Sequence, residues 1–294
     1  MSETPTVPAL PETENWARMS NVSRRAALGG GAAALGYALA AQPVMANRVT
    51  TPAEGLDEGM ISFPASGGFR MNAYRARPAG KPDAPVILVV QEIFGLHEWM
   101  KDITRRFARA GYYAIAPDMY QRQGDPTKAV DIQTLFNTIV SQVPDSQVMA
   151  DLDAAAVFAG TDGGNAAKLG VTGFCWGGRI TWLYASHNPA LKAGVAWYGR
   201  LVGEPGALQP THPIDVAARL NAPVLGLYGD LDKGIPVADV AAMNAALKAA
   251  SDPGFIRLFE GADHGFLADY RPSFNAVASK KAWDMALEWF GRAL

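Results

Sequence analysis

Gly173-Phe174-Cys175-Trp176-Gly177-Gly178 stands directly behind the apolar run Leu169-Gly170-Val171-Thr172, and a helical pattern opens immediately after it. The run reads as a buried strand. A strand that turns at once into a helix brings two backbones close together, where a β-carbon would clash, and Gly173 and Gly177 suit those places. Such a turn strains the backbone of its central residue and projects that side chain into the cleft above the sheet. The helix N-terminus beneath it favours a thiolate and a developing oxyanion. Cys175 is the only cysteine of the 294 residues, so it has no internal disulfide partner. A free cysteine taken alone is usually a small buried hydrophobe. The strand–turn–helix setting is what makes Cys175 read as a nucleophile.

Outward from this turn the chain alternates strands and helices. Short apolar runs bounded by turn residues predict strands over 60–63, 69–75, 86–91, 112–116, 169–174, 193–197, 224–228 and 256–259. The first two form a hairpin turned at Ser66-Gly67-Gly68. Helical spacing is found over 99–110, 147–159, 177–186, 237–250 and 274–290. Strands alternating with helices imply an α/β architecture, a mostly parallel central sheet with helices on both faces. Ligands gather at the carboxyl ends of the strands in such sheets, so reactive residues just past a strand deserve the closest reading.

Three further sites meet that condition. Val224–Gly229 ends in a loop with two carboxylates, Asp230 and Asp232, and Gly261-Ala262-Asp263-His264-Gly265-Phe266 follows the strand at 256–259. Nucleophile, acid, histidine is the chain order of α/β-hydrolases. His264 would act as general base and acid, with Asp232 fixing its tautomer; Asp230 competes for that place and otherwise reads as a turn residue. Gln91-Glu92-Ile93-Phe94-Gly95 follows the strand at 86–91. Its loop position makes the Ile93 amide one oxyanion donor and the Trp176 amide, just after the nucleophile, the other. His97, His187 and His212 read as surface or loop residues, without metal-ligand spacing. Tyr120, Trp176, Trp197 and Tyr198 are either pocket lining or core.

These segments, together with Pro117-Asp118-Met119-Tyr120, resemble the dienelactone hydrolase family (carboxymethylenebutenolidases) over essentially the whole chain from about Leu56 to the end. The resemblance implies an α/β-hydrolase fold and a Cys–His–Asp triad of Cys175, His264 and Asp232. It also implies that Glu92 engages the resting nucleophile and takes its proton once substrate arrives. The small-molecule substrate would be an ester or lactone, cleaved through an acyl-cysteine, with no cofactor or metal. The best-known members hold a substrate carboxylate with arginines, one of them four residues past the histidine. Here that position is Ala268, and 127–147 contains no arginine. Arg271 and Arg122 are the alternatives in the region. The same triad also admits an acyltransferase or thioesterase, and the same fold a catalytically silent binding protein.

The first 46 residues read as an address. Ser23-Arg24-Arg25 precedes a Gly- and Ala-rich apolar stretch to about Ala41, and Val44-Met45-Ala46 suits a signal peptidase. This pattern resembles a twin-arginine signal, with Ala27 where an aromatic residue is common. It implies passage through that export machinery, a periplasmic or otherwise exported location, cleavage after Ala46, a short linker over 47–55 and one domain over 56–294. The apolar stretch is too short and glycine-rich for a membrane span. A net charge of −2 with no basic tract argues against a nucleic-acid partner. Oligomeric state leaves no mark on the sequence.

Overall fold

A computed structural model describes residues 50–250 and 254–294. The leader expected over residues 1–46 lies outside the described residues. Eight strands form one sheet in the order β1-β2-β4-β3-β5-β6-β7-β8. β1 (Leu56–Pro64) and β2 (Arg70–Pro78) are the expected hairpin, with Pro64 opposite Arg70 and the turn at Ser66–Gly68. β2 also runs antiparallel to β4 (Tyr113–Pro117). The remaining ladders are parallel and join β4, β3 (Ala84–Val90), β5 (Gly164–Phe174), β6 (Ala193–Trp197), β7 (Val224–Gly229) and β8 (Phe255–Phe259). This is the α/β-hydrolase architecture. Every residue of β4, β6 and β7 is buried, as parallel strands covered on both faces must be.

Seven helices complete the domain among the described residues: α1 (Glu98–Arg109), α2 (Ile132–Thr138), α3 (Asp145–Thr161), α4 (Trp176–His187), α5 (Pro213–Val216), α6 (Val237–Ala249) and α7 (Ala276–Ala293). α1 leads from β3 toward the β1 edge, whereas α3 and α4 lead toward the β8 edge. Right-handed crossovers in opposite directions place these helices on opposite faces of the sheet. α7 shares the face of α1, where Phe107 packs against Trp283 with ring centroids 4.7 Å apart. The reversal of strand order around β3, with β4 on one side and β5 on the other, opens a crevice at the carboxyl ends of β3 and β5.

Three departures from the sequence reading have local causes. β5 begins at Gly164, because its first residues pair with Ala84 and Pro85 before a register shift, and they are too exposed to carry an apolar signal. α2 and α5 are too short for periodicity to betray them; α2 is started by Asp131, whose side chain accepts from the Thr134 amide at 2.7 Å. The expected linker is docked where it is described. Arg105 Nε donates to the Thr51 carbonyl at 3.0 Å, and Arg109 Nη1 donates to the carbonyls of Pro52 and Glu54. Among the described residues no helix is long and apolar enough to cross a membrane.

Candidate active site

The turn after β5 has the strain its glycines foretold. Cys175 adopts φ 56° and ψ −113°, outside the comfortable range of an L-residue. Its amide donates to the Trp197 carbonyl at 3.0 Å, and its own carbonyl accepts from Gly178 at 3.0 Å, so both neighbours fix the turn. A β-carbon on Gly173 would stand 2.1 Å from the Gly177 carbonyl oxygen, and one on Gly177 would stand 2.4 Å from that of Val90. Both distances are impossible contacts, so glycine is obligatory where α4 starts against β3 and β5. The thiol is fully buried.

Two loops bring the remaining groups to it. Past β7, the Asp232 carboxylate accepts from the Gly234 amide at 2.8 Å through Oδ1 and reaches His264 Nδ1 at 2.7 Å through Oδ2. Asp230 instead accepts from the Gly261 amide at 2.7 Å and serves as a turn residue. With Nδ1 committed to Asp232, Nε2 is the nitrogen left to serve Cys175, whose charge is felt at this imidazole. Burial works against charge on this imidazole, but Asp232 and then Cys175 outweigh it and push its pKa up to about 10.

Glu92, past β3, is also fully buried. Its Oε2 accepts from Arg271 Nη2 at 2.7 Å, while Oε1 accepts from His97 Nε2 at 2.9 Å and from the Tyr270 hydroxyl. Burial alone would push its pKa up; Arg271, followed by His97 and Tyr270, brings it down to about 2. In this conformation its carboxylate is occupied by these three donors. Gln91 beside it fixes the loop after β4, its Oε1 accepting from the Met119 amide at 3.2 Å.

Of the proposed lining residues, Tyr198 stands at positive φ, 36°, and sets its ring edge-on to His264 with centroids 5.2 Å apart. Tyr120 lies edge-on to Trp176 at 5.2 Å. Both are wholly buried, and burial, reinforced by the charge of Glu92, holds each phenol protonated far above its ordinary range. Their hydroxyls and Arg271 Nη1 are buried donors with no partner among the described residues. Trp197 is core: its indole donates to Thr172 Oγ1 at 3.1 Å, across the sheet interior. Arg122 is spent elsewhere, pairing with the buried Asp151 and stacking over Phe69 at 4.1 Å. Arg271, not Arg122, is therefore the arginine that contacts Glu92.

Two of the remaining histidines keep the expected loop positions but turn inward. His97 is half-buried at the start of α1 and bonds Glu92, and His212 is buried with its Nε2 on the Glu204 carbonyl at 3.0 Å. His187 remains at the surface, paired with Asp153 at 2.8 Å. Tyr270 escaped the sequence reading because it reaches Glu92 across 178 positions, with only its adjacency to Arg271 as a local signal. His97 lies in the same loop as Glu92, and that closeness in sequence was the signal that could have found it. Among the described residues no cluster of acidic, histidine or cysteine side chains could hold a metal ion.

Known proteins match this arrangement along most of its length. The model of the dienelactone hydrolase family covers residues 71–294. A protein of Methylorubrum extorquens named "Putative carboxymethylenebutenolidase" is 54% identical over 87% of this chain and 89% of its own length. A protein of Salmonella typhimurium with the same name is 52% identical over 87% of this chain and 95% of its own. The crystal structure of a "Putative Dienelactone Hydrolase" from Klebsiella pneumoniae superposes with a TM-score of 0.79 at 53% identity, covering 81% of this chain and 99% of the other. Fold, strand-end residues and these relatives agree, and the chain belongs to the dienelactone hydrolase family.

Proposed function

We propose that this enzyme hydrolyses a carboxylic ester or lactone through an acyl-cysteine on Cys175. The observation that carries the reading is His264, held on Asp232 by one ring nitrogen and electrostatically coupled to Cys175 at the strained turn. The Cys175 sulfur attacks the carbonyl carbon, and the electron pair of the C=O bond moves onto oxygen. The amides of Ile93 and Trp176 receive that oxyanion; the latter opens α4 and has no intrahelical acceptor. Collapse breaks the C–O bond, and imidazolium His264 gives its proton to the leaving oxygen. Water, deprotonated by His264, then attacks the thioester carbonyl, the C–S bond breaks, and the released sulfur recovers from Glu92 the proton it gave up, which restores the thiol.

Arg271 points to the substrate class. Its buried and unpartnered Nη1 suits a carboxylate on the ester or lactone, and a substrate that takes Arg271 removes the strongest influence holding Glu92 acidic. Glu92 then becomes basic enough to take the thiol proton. The names of the relatives, which refer to a lactone bearing a carboxylate, support this choice. Export through a twin-arginine-type leader, inferred from Ser23-Arg24-Arg25 and Val44-Met45-Ala46, is part of the proposal, and a mature protein beginning at Asn47 is the expected result of N-terminal sequencing.

The test is mass spectrometry after brief exposure to p-nitrophenyl acetate. An acyl adduct on Cys175, absent in Cys175→Ala and slow to clear in His264→Ala, supports the scheme. Silence across a panel of esters and lactones would overturn it in favour of a binding protein. Partition of the acyl group to added alcohols in preference to water would redirect it to acyl transfer.

A further inference from the structure

Arg271, Tyr270 and Glu92 close a ring of hydrogen bonds. Arg271 Nη2 donates to Glu92 Oε2 at 2.7 Å, Arg271 Nε donates to the Tyr270 hydroxyl oxygen at 3.0 Å, and that hydroxyl donates its own proton to Glu92 Oε1. A phenol has one proton to give and lone pairs to receive with, so Tyr270 serves both neighbours at once. Burial, and then the charge of Glu92, hold it protonated far above its ordinary range, which keeps the ring bonded in this sense. A guanidinium presents two edges, one formed by Nε and Nη2 and the other by the two Nη atoms. The first edge of Arg271 is closed by Tyr270 and Glu92. On the second, Nη1 is buried without a partner among the described residues. It lies on the histidine side of the cleft, since a β-carbon on Gly265, the residue after His264, would stand 3.3 Å from it. The rings of Tyr270 and Phe94 steady the guanidinium, with Cζ 5.3 and 5.4 Å from their centroids.

We infer that Tyr270 is a positioning residue whose hydroxyl pins Arg271 to Glu92, so that a substrate carboxylate is admitted at the Nη1 edge and draws on the charge of Arg271 without dragging the guanidinium away. The inference rests on the acyl-cysteine reading above and adds to it the part that couples carboxylate binding to the thiol. A second carboxylate on the same guanidinium weakens the hold of that charge on Glu92, because like charges sharing a site favour protonation of one of them. Glu92 gains proton affinity in place, still aimed by Tyr270. Without the hydroxyl, Arg271 keeps its charge and its free edge but loses the acceptor at Nε, and it can turn toward the substrate and leave Glu92 behind. His97 Nε2 also meets Oε1, at 2.9 Å, so Glu92 retains a partner there when the hydroxyl is removed. The link between the arginine and the carboxylate is what Tyr270 alone supplies on the Oε1 side.

The experiment compares acylation of Cys175 by 4-nitrophenyl hemisuccinate, which carries a carboxylate, with acylation by 4-nitrophenyl acetate, which does not. Rates are read by stopped flow against ester concentration, and the adduct by mass spectrometry, in wild type and Tyr270→Phe. Phenylalanine keeps the ring that packs edge-on to Trp99 at 5.7 Å and to His97 at 5.6 Å. The ratio of saturating acylation rates, hemisuccinate to acetate, is expected to fall about tenfold in the variant, the worth of one hydrogen bond to a charged group. The hemisuccinate concentration at half-saturation is expected to stay within about threefold, because Nη1 still receives the carboxylate. A merely structural role for Tyr270 would slow both esters alike. An unchanged ratio, an equal loss with both esters, or a loss confined to half-saturation overturns the inference and leaves the acyl-cysteine reading standing. A crystal structure of the wild type soaked with succinate tests the geometry without a variant. A carboxylate at Nη1, with Tyr270 still bonded to Arg271 Nε and Glu92, is expected. Tyr270 parted from either, or no succinate at Nη1, overturns the inference. No Cys175 adduct in wild type with either ester overturns the acyl-cysteine reading, and this inference with it.

Discussion

Arg271 and Glu92 form an ion pair shut away from water, with Nη2 2.7 Å from Oε2 and side chains 1% and 0% exposed. Breaking such a pair from one side leaves an uncompensated buried charge, at a cost of about 3–5 kcal/mol. Arg271→Met is expected to lose stability of that order in urea unfolding. Glu92→Gln in the same background should recover most of the loss. No recovery would mean that the destabilisation comes from lost packing around the guanidinium. The single variant should also raise KM for carboxylate-bearing esters more than for neutral ones.

The two buried titrating groups shape opposite ends of the pH–stability curve. Glu92 is lowered from 4.5 to about 2 in the fold, so its contribution is complete above pH 4.5 and disappears as pH falls through about 2. His264 is raised from 6.5 to about 10, so its contribution is complete below pH 6.5 and is lost as pH rises through about 10. Thermal midpoints measured against pH should therefore show an acid limb that Glu92→Gln flattens. The alkaline limb should be flattened by Asp232→Asn. Unaltered limbs in these variants would assign the pH dependence to other groups.

Asp230 and Asp232 lie two residues apart and should behave differently. Asp232→Asn disturbs the tautomer and charge of His264, and kcat is expected to fall about a thousandfold or more. Asp230→Asn touches only the bond to the Gly261 amide, with an expected cost of about 1 kcal/mol in stability and kcat within about threefold. Equal losses of kcat would overturn the assignment of the acid.

Gly177 and Gly67 are both poor places for alanine, for different reasons. A β-carbon at Gly177 meets the Val90 carbonyl oxygen at 2.4 Å, so Gly177→Ala must push α4 off the sheet. Loss of soluble folded protein, or of nearly all acylation, is expected. Gly67 has φ 66° with open space around it, so Gly67→Ala should cost only about 1 kcal/mol. Active, stable Gly177→Ala would show that the elbow yields more than its geometry implies.

Much of this was readable one residue at a time. The parallel strands announced themselves because burial on both faces makes them continuous apolar runs, and Ala193–Trp197 fell at its observed bounds. Asp232, His264, Glu92 and Cys175 were legible because each stands just past such a run. The hold of His97 and Tyr270 on Glu92 was not. Glu92 and Tyr270 meet across 178 positions, and no period or spacing encodes that contact. Arg122 shows the converse, since sequence alone could not reveal that Asp151 had already claimed it.

The ladder between β3 and β5 carries a consequence for engineering. Val90 pairs with Gly173, so the strand that ends before Glu92 and the strand that ends before Cys175 are laced together up to their last residues. Glu92 and Cys175 are thereby mounted on one stiff chassis, and mutagenesis aimed at new substrates gains little by touching it. The adjustable part is the segment that carries Tyr120, since the loop of Tyr270 and Arg271 holds Glu92 in place. Libraries confined to 119–143 would vary what the enzyme accepts while leaving that hold intact.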